Sequence, residues 1–183
     1  MHVVPTGFKD LFILEPKIFE DPRGYFMESY SYRVLCDKGL DFKFVQDNQS
    51  SSKKGVIRGL HYQNAPYAQA KLVRVLHGTI LDVAVDIRRH EPTFGKYFST
   101  TLSAENKKQL LIPRGFAHGF MVLSEEAEVF YKSDDYYNPQ SEGGIIYNDP
   151  SIGINWQLNP HEFILSDKDK THPELSVANF IFE

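Results

Sequence analysis

Disulfide chemistry is absent from this chain: its one cysteine, Cys36, has no internal partner, which points to a reducing compartment. No run of residues is apolar for long enough to span a bilayer. The first ten residues carry Pro5, Gly7, Lys9 and Asp10 instead of the apolar core of a signal peptide, so a cytoplasmic protein is expected. A basic excess is missing too. The formal net charge is −4 and the pI about 6.0, opposite to the balance of a nucleic-acid binder, and no nucleic-acid or membrane partner is expected. Helix signals are scarce, with one candidate over residues 31–38 stopped by Gly39 and a weaker one near the C-terminus. No internal repeat, low-complexity tract or linker divides the 183 residues, which read as a single domain over 1–183.

What the chain does have is strand chemistry. Fourteen per cent of its residues are aromatic, and they fall in short runs with β-branched neighbours. Residues 11–14, 24–29, 42–46, 56–61, 71–76, 79–87, 97–102, 110–112, 119–123, 128–132 and 144–147 read as short strands. Turn signals separate them, among them Asp21-Pro22-Arg23-Gly24, Lys54-Gly55, His77-Gly78 and Pro113-Arg114-Gly115. Many short strands at this spacing predict an all-β sandwich, jelly roll or barrel.

Alternation then sorts side chains onto faces. Phe44, Gln46 and Asn48 share one face, and Leu81, Val83, Val85 and Ile87 form an apolar face opposite Asp82 and Asp86. Lys71 shares its face with Val73 and Val75, an unusual place for an ammonium unless it is paired. Two readings stay open for it: a strand-edge lysine whose head reaches water, or a functional buried charge. Arg58 and His61 fall on opposite faces of a regular strand, but Gly59 between them is where a bulge brings both to one pocket. A lone histidine is most simply a satisfied core residue. Arg58 beside His61, with Lys71 on a following strand, argues for a ligand instead, since such polar company is expensive in a barrel interior.

The densest chemistry lies in Arg58-Gly59-Leu60-His61-Tyr62-Gln63 and in Pro113-Arg114-Gly115-Phe116-Ala117-His118-Gly119-Phe120. These two segments resemble the signature segments of the cupin jelly roll. Metal-binding cupins place His-x-His and a glutamate in the first segment and a third histidine in the second. Here Gln63 stands at the second histidine position and no glutamate lies between His61 and His77, so the metal set is incomplete and no metal is expected.

The resemblance then narrows. Asp21-Pro22-Arg23-Gly24-Tyr25-Phe26, Val45-Gln46-Asp47-Asn48-Gln49-Ser50, Lys71-Leu72-Val73-Arg74-Val75, Tyr131-Lys132-Ser133 and Leu165-Ser166-Asp167-Lys168-Asp169 join the two segments above, in order. Together they resemble the dTDP-4-dehydrorhamnose 3,5-epimerase family, over about residues 8–175. The resemblance implies a double-stranded β-helix of cupin type with a few short helices, and a dTDP-linked 4-keto-6-deoxyhexose as substrate. It implies that C3 and C5 beside the ketone are inverted without a cofactor. By the same resemblance His61 is the base, Asp169 its carboxylate partner, Lys71 the enolate donor and Tyr131 the acid. Arg23, Arg58 and Lys168 match diphosphate contacts, and Glu28, Gln46, Asn48, His118 and Glu142 match polar contacts to nucleotide and sugar. Phe26 and Tyr137 match candidate base-stacking positions. Taken one at a time, Arg23 and Lys168 also read as solvated surface charges. Family members are usually homodimers whose N-terminal strands cross between subunits, and a strand over 11–14 is compatible with that. Three other readings are a metal-dependent cupin, a mono-epimerase of another deoxysugar pathway and a non-catalytic sugar-nucleotide module.

Overall fold

A computed structural model describes residues 1–180 and 182. Two antiparallel sheets face each other. The six-stranded sheet runs β1 (His2–Pro5), β2 (Phe12–Glu15), β10 (Gln109–Ile112), β7 (Lys71–His77), β12 (Glu126–Ser133), β5 (Gln46–Lys53). The five-stranded sheet runs β13 (Glu142–Gly144), β6 (Ile57–Gln63), β11 (Phe116–Val122), β8 (Thr79–Asp86), β9 (Tyr97–Ser103). A separate hairpin pairs β3 (Ile18–Asp21) with β4 (Gly24–Met27). This is the cupin jelly roll, a double-stranded β-helix. Among the described residues, helix is confined to α1 (Tyr32–Cys36), whose N-cap Ser31 accepts from the Val34 amide, and to one 3₁₀ turn at Pro160–Glu162. Among the described residues, no helix is long and apolar enough to cross a membrane.

Apolar alternation drives the sheets together. Val73, Val75, Ile80, Ala84, Leu110, Phe120, Val122 and Val129 fill the space between them. Leu81, Val83 and Val85, from the other face of β8, are fully buried beneath Ile145, Ile152 and Trp156 of the C-terminal segments. Each such aliphatic side chain contributes roughly 1.5–3 kcal/mol by leaving water. The core therefore lies on both faces of β8, and Asp82 and Asp86 are completely buried as well. Burial demands partners for them. Asp86 takes Arg88 at 2.7 Å and Thr93 Oγ1 at 2.6 Å, and Asp82 takes His118.

Two strand expectations need correction. The predicted strand at 42–46 is irregular, and β5 begins only at Gln46. Its sequence, Gln-Asp-Asn-Gln-Ser-Ser-Ser-Lys, has no apolar alternation because β5 is an edge strand whose inward side chains face a polar cavity. The predicted strand at 144–147 is displaced to β13, where Glu142–Gly144 pairs with Gln63, Tyr62 and His61. The strands β1 and β3 lie outside the segments expected from the sequence; each is four residues long with only two strand-favouring apolar side chains.

Candidate active site

A cavity of about 830 Å³ opens between the sheets. Residues Asn48, Lys71 and Tyr131 reach it from the six-stranded sheet, on the adjacent strands β5, β7 and β12. The register pairs Tyr131 with Asn48 on one side and Val73 on the other, so Lys71, two residues before Val73, shares their face. The Lys71 ammonium stands 5.8 Å from the centre of the Tyr131 ring. From the five-stranded sheet come Arg58, His61 and His118, with His61 and His118 directly paired across β6 and β11. Lys168 and Asp169 enter from the C-terminal turn.

The glycine between Arg58 and His61 makes this convergence possible. Opposite β11, His61 pairs with His118 and Arg58 with Phe120, so Gly59 and Leu60 together face the single residue Gly119. This is a β-bulge, and it rotates Arg58 and His61 into the same cavity. Gly59 has φ +141°, and a Cβ there would stand 2.5 Å from the Gly119 Cα. Only glycine meets both conditions.

His61 Nε2 donates to Asp169 Oδ1 at 2.6 Å, which fixes the tautomer and leaves the Nδ1 lone pair free. Asp169 is nearly inaccessible. Burial pushes its carboxyl pKa up, but the hydrogen bond and charge of His61, with a smaller contribution from the Ser166 side chain, outweigh burial and hold it below the usual carboxylate range. Burial pulls the Lys71 ammonium down to about 8, with Asp82 and Glu142 offsetting part of that effect. Burial likewise raises Tyr131, against the nearby positive charge of Arg58, so its phenol stays protonated through neutral pH. His118 Nε2 donates to Asp82 Oδ1 at 2.8 Å, and burial lowers its pKa despite that partner.

The remaining predicted contacts divide into two groups. Gln46, Tyr137 and Glu142 form a polar chain beside the cavity. The Gln46 amide donates to Asn48 at 2.9 Å, the Tyr137 hydroxyl to Glu142 at 2.9 Å, and Lys168 pairs with Glu142 at 2.6 Å. Arg23, Phe26 and Glu28 lie outside the cavity, on and just after the β3–β4 hairpin. Phe26 is 68% exposed, and among the described residues Arg23 pairs only with Asp21, in its own turn.

Two residues near the site carried no sequence signal of function. By alternation Asp82 falls only on the face opposite the apolar one, and it is its burial against His118 that lets it hold that imidazole. His172 lies edge-on to His61, with ring centres 5.5 Å apart. The cupin metal set is not assembled here. Gln63 turns its amide to the backbone, donating to Tyr67 O at 2.7 Å and accepting from the Asn138 amide at 2.7 Å, so it serves the loop rather than the cavity.

Residues 5–177 match the sequence profile of the dTDP-4-dehydrorhamnose 3,5-epimerase family. The chain is 56% identical over 171 residues to the dTDP-4-dehydrorhamnose 3,5-epimerase of Shigella flexneri, spanning 92% of this chain and 93% of that protein. The crystal structure of the dTDP-4-dehydrorhamnose 3,5-epimerase from Elizabethkingia anophelis matches with a TM-score of 0.92 at 50% identity, covering 96% of this chain and 97% of that one. A dTDP-6-deoxy-D-glucose-3,5-epimerase from Legionella pneumophila, solved in complex with dTDP-4-keto-L-rhamnose, matches with a TM-score of 0.92 at 48% identity. That similarity covers 96% of this chain and 93% of the Legionella one. Family profile, relatives and solved structures all match over nearly the whole length, and the chain belongs to the dTDP-4-dehydrorhamnose 3,5-epimerase family.

Proposed function

We propose that this protein inverts C3 and C5 of dTDP-4-dehydro-6-deoxy-D-glucose to give dTDP-4-dehydro-L-rhamnose. The observation that carries the proposal is the His61–Asp169 pair, bonded at 2.6 Å, in one cavity with Tyr131 and Lys71 of the facing sheet. Hydrogens beside a ketone become acidic when the departing pair of electrons can rest on the oxygen as an enolate. His61 takes the proton at Nδ1, and Asp169 stabilises the imidazolium that forms. Lys71 donates to the developing enolate oxygen; with its pKa lowered to about 8 it is still mostly charged at neutral pH and shares a proton more readily than a free lysine. Tyr131 stands on the opposite sheet, so its hydroxyl returns a proton to the other face of the carbon and inverts it. The same cycle at the second carbon beside the ketone completes the double epimerisation. The ketone is the electron sink, so the reaction calls for no cofactor.

Arg58 and Lys168 supply positive charge for the diphosphate, with Asn48 and His118 as polar partners of the sugar. Gln46, Tyr137 and Glu142 extend these contacts along the rim. Arg23, Phe26 and Glu28 reach a nucleotide only if the hairpin of one copy lies over the cavity of another. We therefore infer a homodimer, supported by the exposure of Phe19, Tyr25 and Phe26 on that hairpin. A monomer measured by light scattering would remove these three residues from the binding set. A single cysteine supports a cytoplasmic location.

The test is NMR of the product formed from dTDP-4-dehydro-6-deoxy-D-glucose in heavy water. Deuterium at both C3 and C5 with the L-configuration is expected. Inversion at one carbon alone would make the protein a mono-epimerase, and an unchanged substrate would overturn the proposal.

A further inference from the structure

We propose that His61, Asp169 and His172 form a binding site for a borderline divalent cation of the Zn²⁺ type, and that filling it switches the catalytic base off. The three side chains offer two imidazole nitrogens and a carboxylate oxygen, all within 4.8 Å of one another. The Asp169 Oδ1 lies 2.6 Å from His61 Nε2 and 3.5 Å from His172 Nε2. Tetrahedral zinc ligands at about 2.0–2.1 Å stand roughly 3.3 Å apart, a value bracketed by these two separations. Small side-chain shifts therefore suffice to admit the ion.

His172 is the telling member of the set. Its side chain is only 10% exposed, yet its Nε2 has no hydrogen-bond partner among the described residues. A buried nitrogen left unpaired is rare without a reason. The fold makes room for this ring. On β13, Gly144 pairs with His61 across the sheet, and a side chain there would collide with the His172 imidazole. The second imidazole thus occupies the slot that a β13 side chain would have filled, held edge-on to the first at 73°. No proton-transfer or substrate contact has been assigned to it.

This set is distinct from the cupin ligand pattern, with which it shares only His61. Two imidazoles and one carboxylate favour Zn²⁺, Co²⁺ and neighbouring metals over Mg²⁺ or Ca²⁺, which prefer all-oxygen sites. Binding balances without net proton release. The cation takes His61 Nε2, the proton once donated to Asp169 moves to Nδ1, and the lone pair assigned to catalysis is lost. That inhibitory consequence rests on the proposed role of His61; the cation site itself does not.

The experiment titrates Co²⁺, then Zn²⁺ in competition, into chelator-stripped full-length protein, reading the visible Co²⁺ spectrum and epimerase turnover side by side. One equivalent with a four-coordinate spectrum is expected, with turnover falling as Zn²⁺ binds, returning on chelation and unaffected by Mg²⁺. His172→Gln should keep metal-free turnover while losing Zn²⁺ affinity by more than the ~10–100-fold typical of changes outside the ligand set. No stoichiometric Co²⁺ spectrum in the unaltered protein, or equal Zn²⁺ affinity in His172→Gln, would overturn the site. Stoichiometric binding without inhibition would keep the site and remove His61 from its role as base.

Discussion

Replacing Lys71 with methionine should slow the enzyme and stabilise its fold at the same time. The side chain sits at the cavity wall with its pKa pulled from 10.5 down to about 8 by burial. At about 1.4 kcal/mol per pH unit, that depression means the charged form is disfavoured in the folded protein by ~3 kcal/mol. The sign follows from which state holds the proton. Below pH 8 both folded and unfolded chains carry the ammonium, and the fold bears the full penalty of burying it. Between about 8 and 10.5 only the unfolded chain keeps the proton, so this penalty fades as pH rises. Lys71→Met retains the length and the apolar stem, and it should recover up to ~3 kcal/mol at pH 7, or about 6–12 °C in Tm. Turnover should move the other way. Loss of one preorganised donor to a developing oxyanion typically lowers kcat by about 10²–10³. The unaltered enzyme, with its lysine roughly nine-tenths charged at pH 7 and one-tenth charged at pH 9, should lose about tenfold in kcat over that interval. The variant should lack this limb. Steady-state kinetics across pH 6–10 and thermal melts at pH 7 provide the assay. Unaltered kcat together with unaltered Tm would return Lys71 to a strand-edge charge with its head in water.

His61→Ala should abolish solvent exchange of the substrate's protons with little change in nucleotide affinity, and Asp169→Asn should slow turnover by roughly 10²–10⁴ with the fold intact; near-normal exchange in His61→Ala would assign the base elsewhere. Tyr131→Phe removes only the hydroxyl, so the enolate still forms and is quenched from its original face. In heavy water it should yield deuterated, unepimerised substrate, and normal inversion would move the acid role to another group. Gly59→Ala should destabilise the protein by roughly 2–6 kcal/mol, because the left-handed backbone and the contact with Gly119 both oppose a Cβ; denaturant titration checks this, and a neutral result would mean the bulge relaxes freely. Exhaustive chelation should leave turnover undiminished, since Gln63 is committed to the loop; loss of activity restored by added metal would refute the acid–base scheme.

The all-β class was legible because short apolar runs separated by turn signals leave few alternatives, and the edges of β7, β8 and β9 fell within a residue or two of their predicted positions. The polar strand β5 was legible only at its start, where alternation put Gln46 and Asn48 on one face. Its inward face meets a cavity rather than a core, so the periodicity that betrays a strand had nothing apolar to mark it. The sequence alone also singled out Gly59 as the residue able to bring Arg58 and His61 together, because a glycine between polar residues on a strand is a local anomaly. Resemblance supplied Asp169 and Tyr131, residues that no local pattern separates from an ordinary turn aspartate and strand tyrosine. Tertiary structure alone decided the rest. Asp169 comes within 2.6 Å of a histidine 108 residues away, Asp82 lies buried under His118, and His172 fills the slot left by Gly144. These pairings are set by how the C-terminal segments fold back over the five-stranded sheet. Side chains far apart in sequence share no periodicity, so their meeting is written only in the packing.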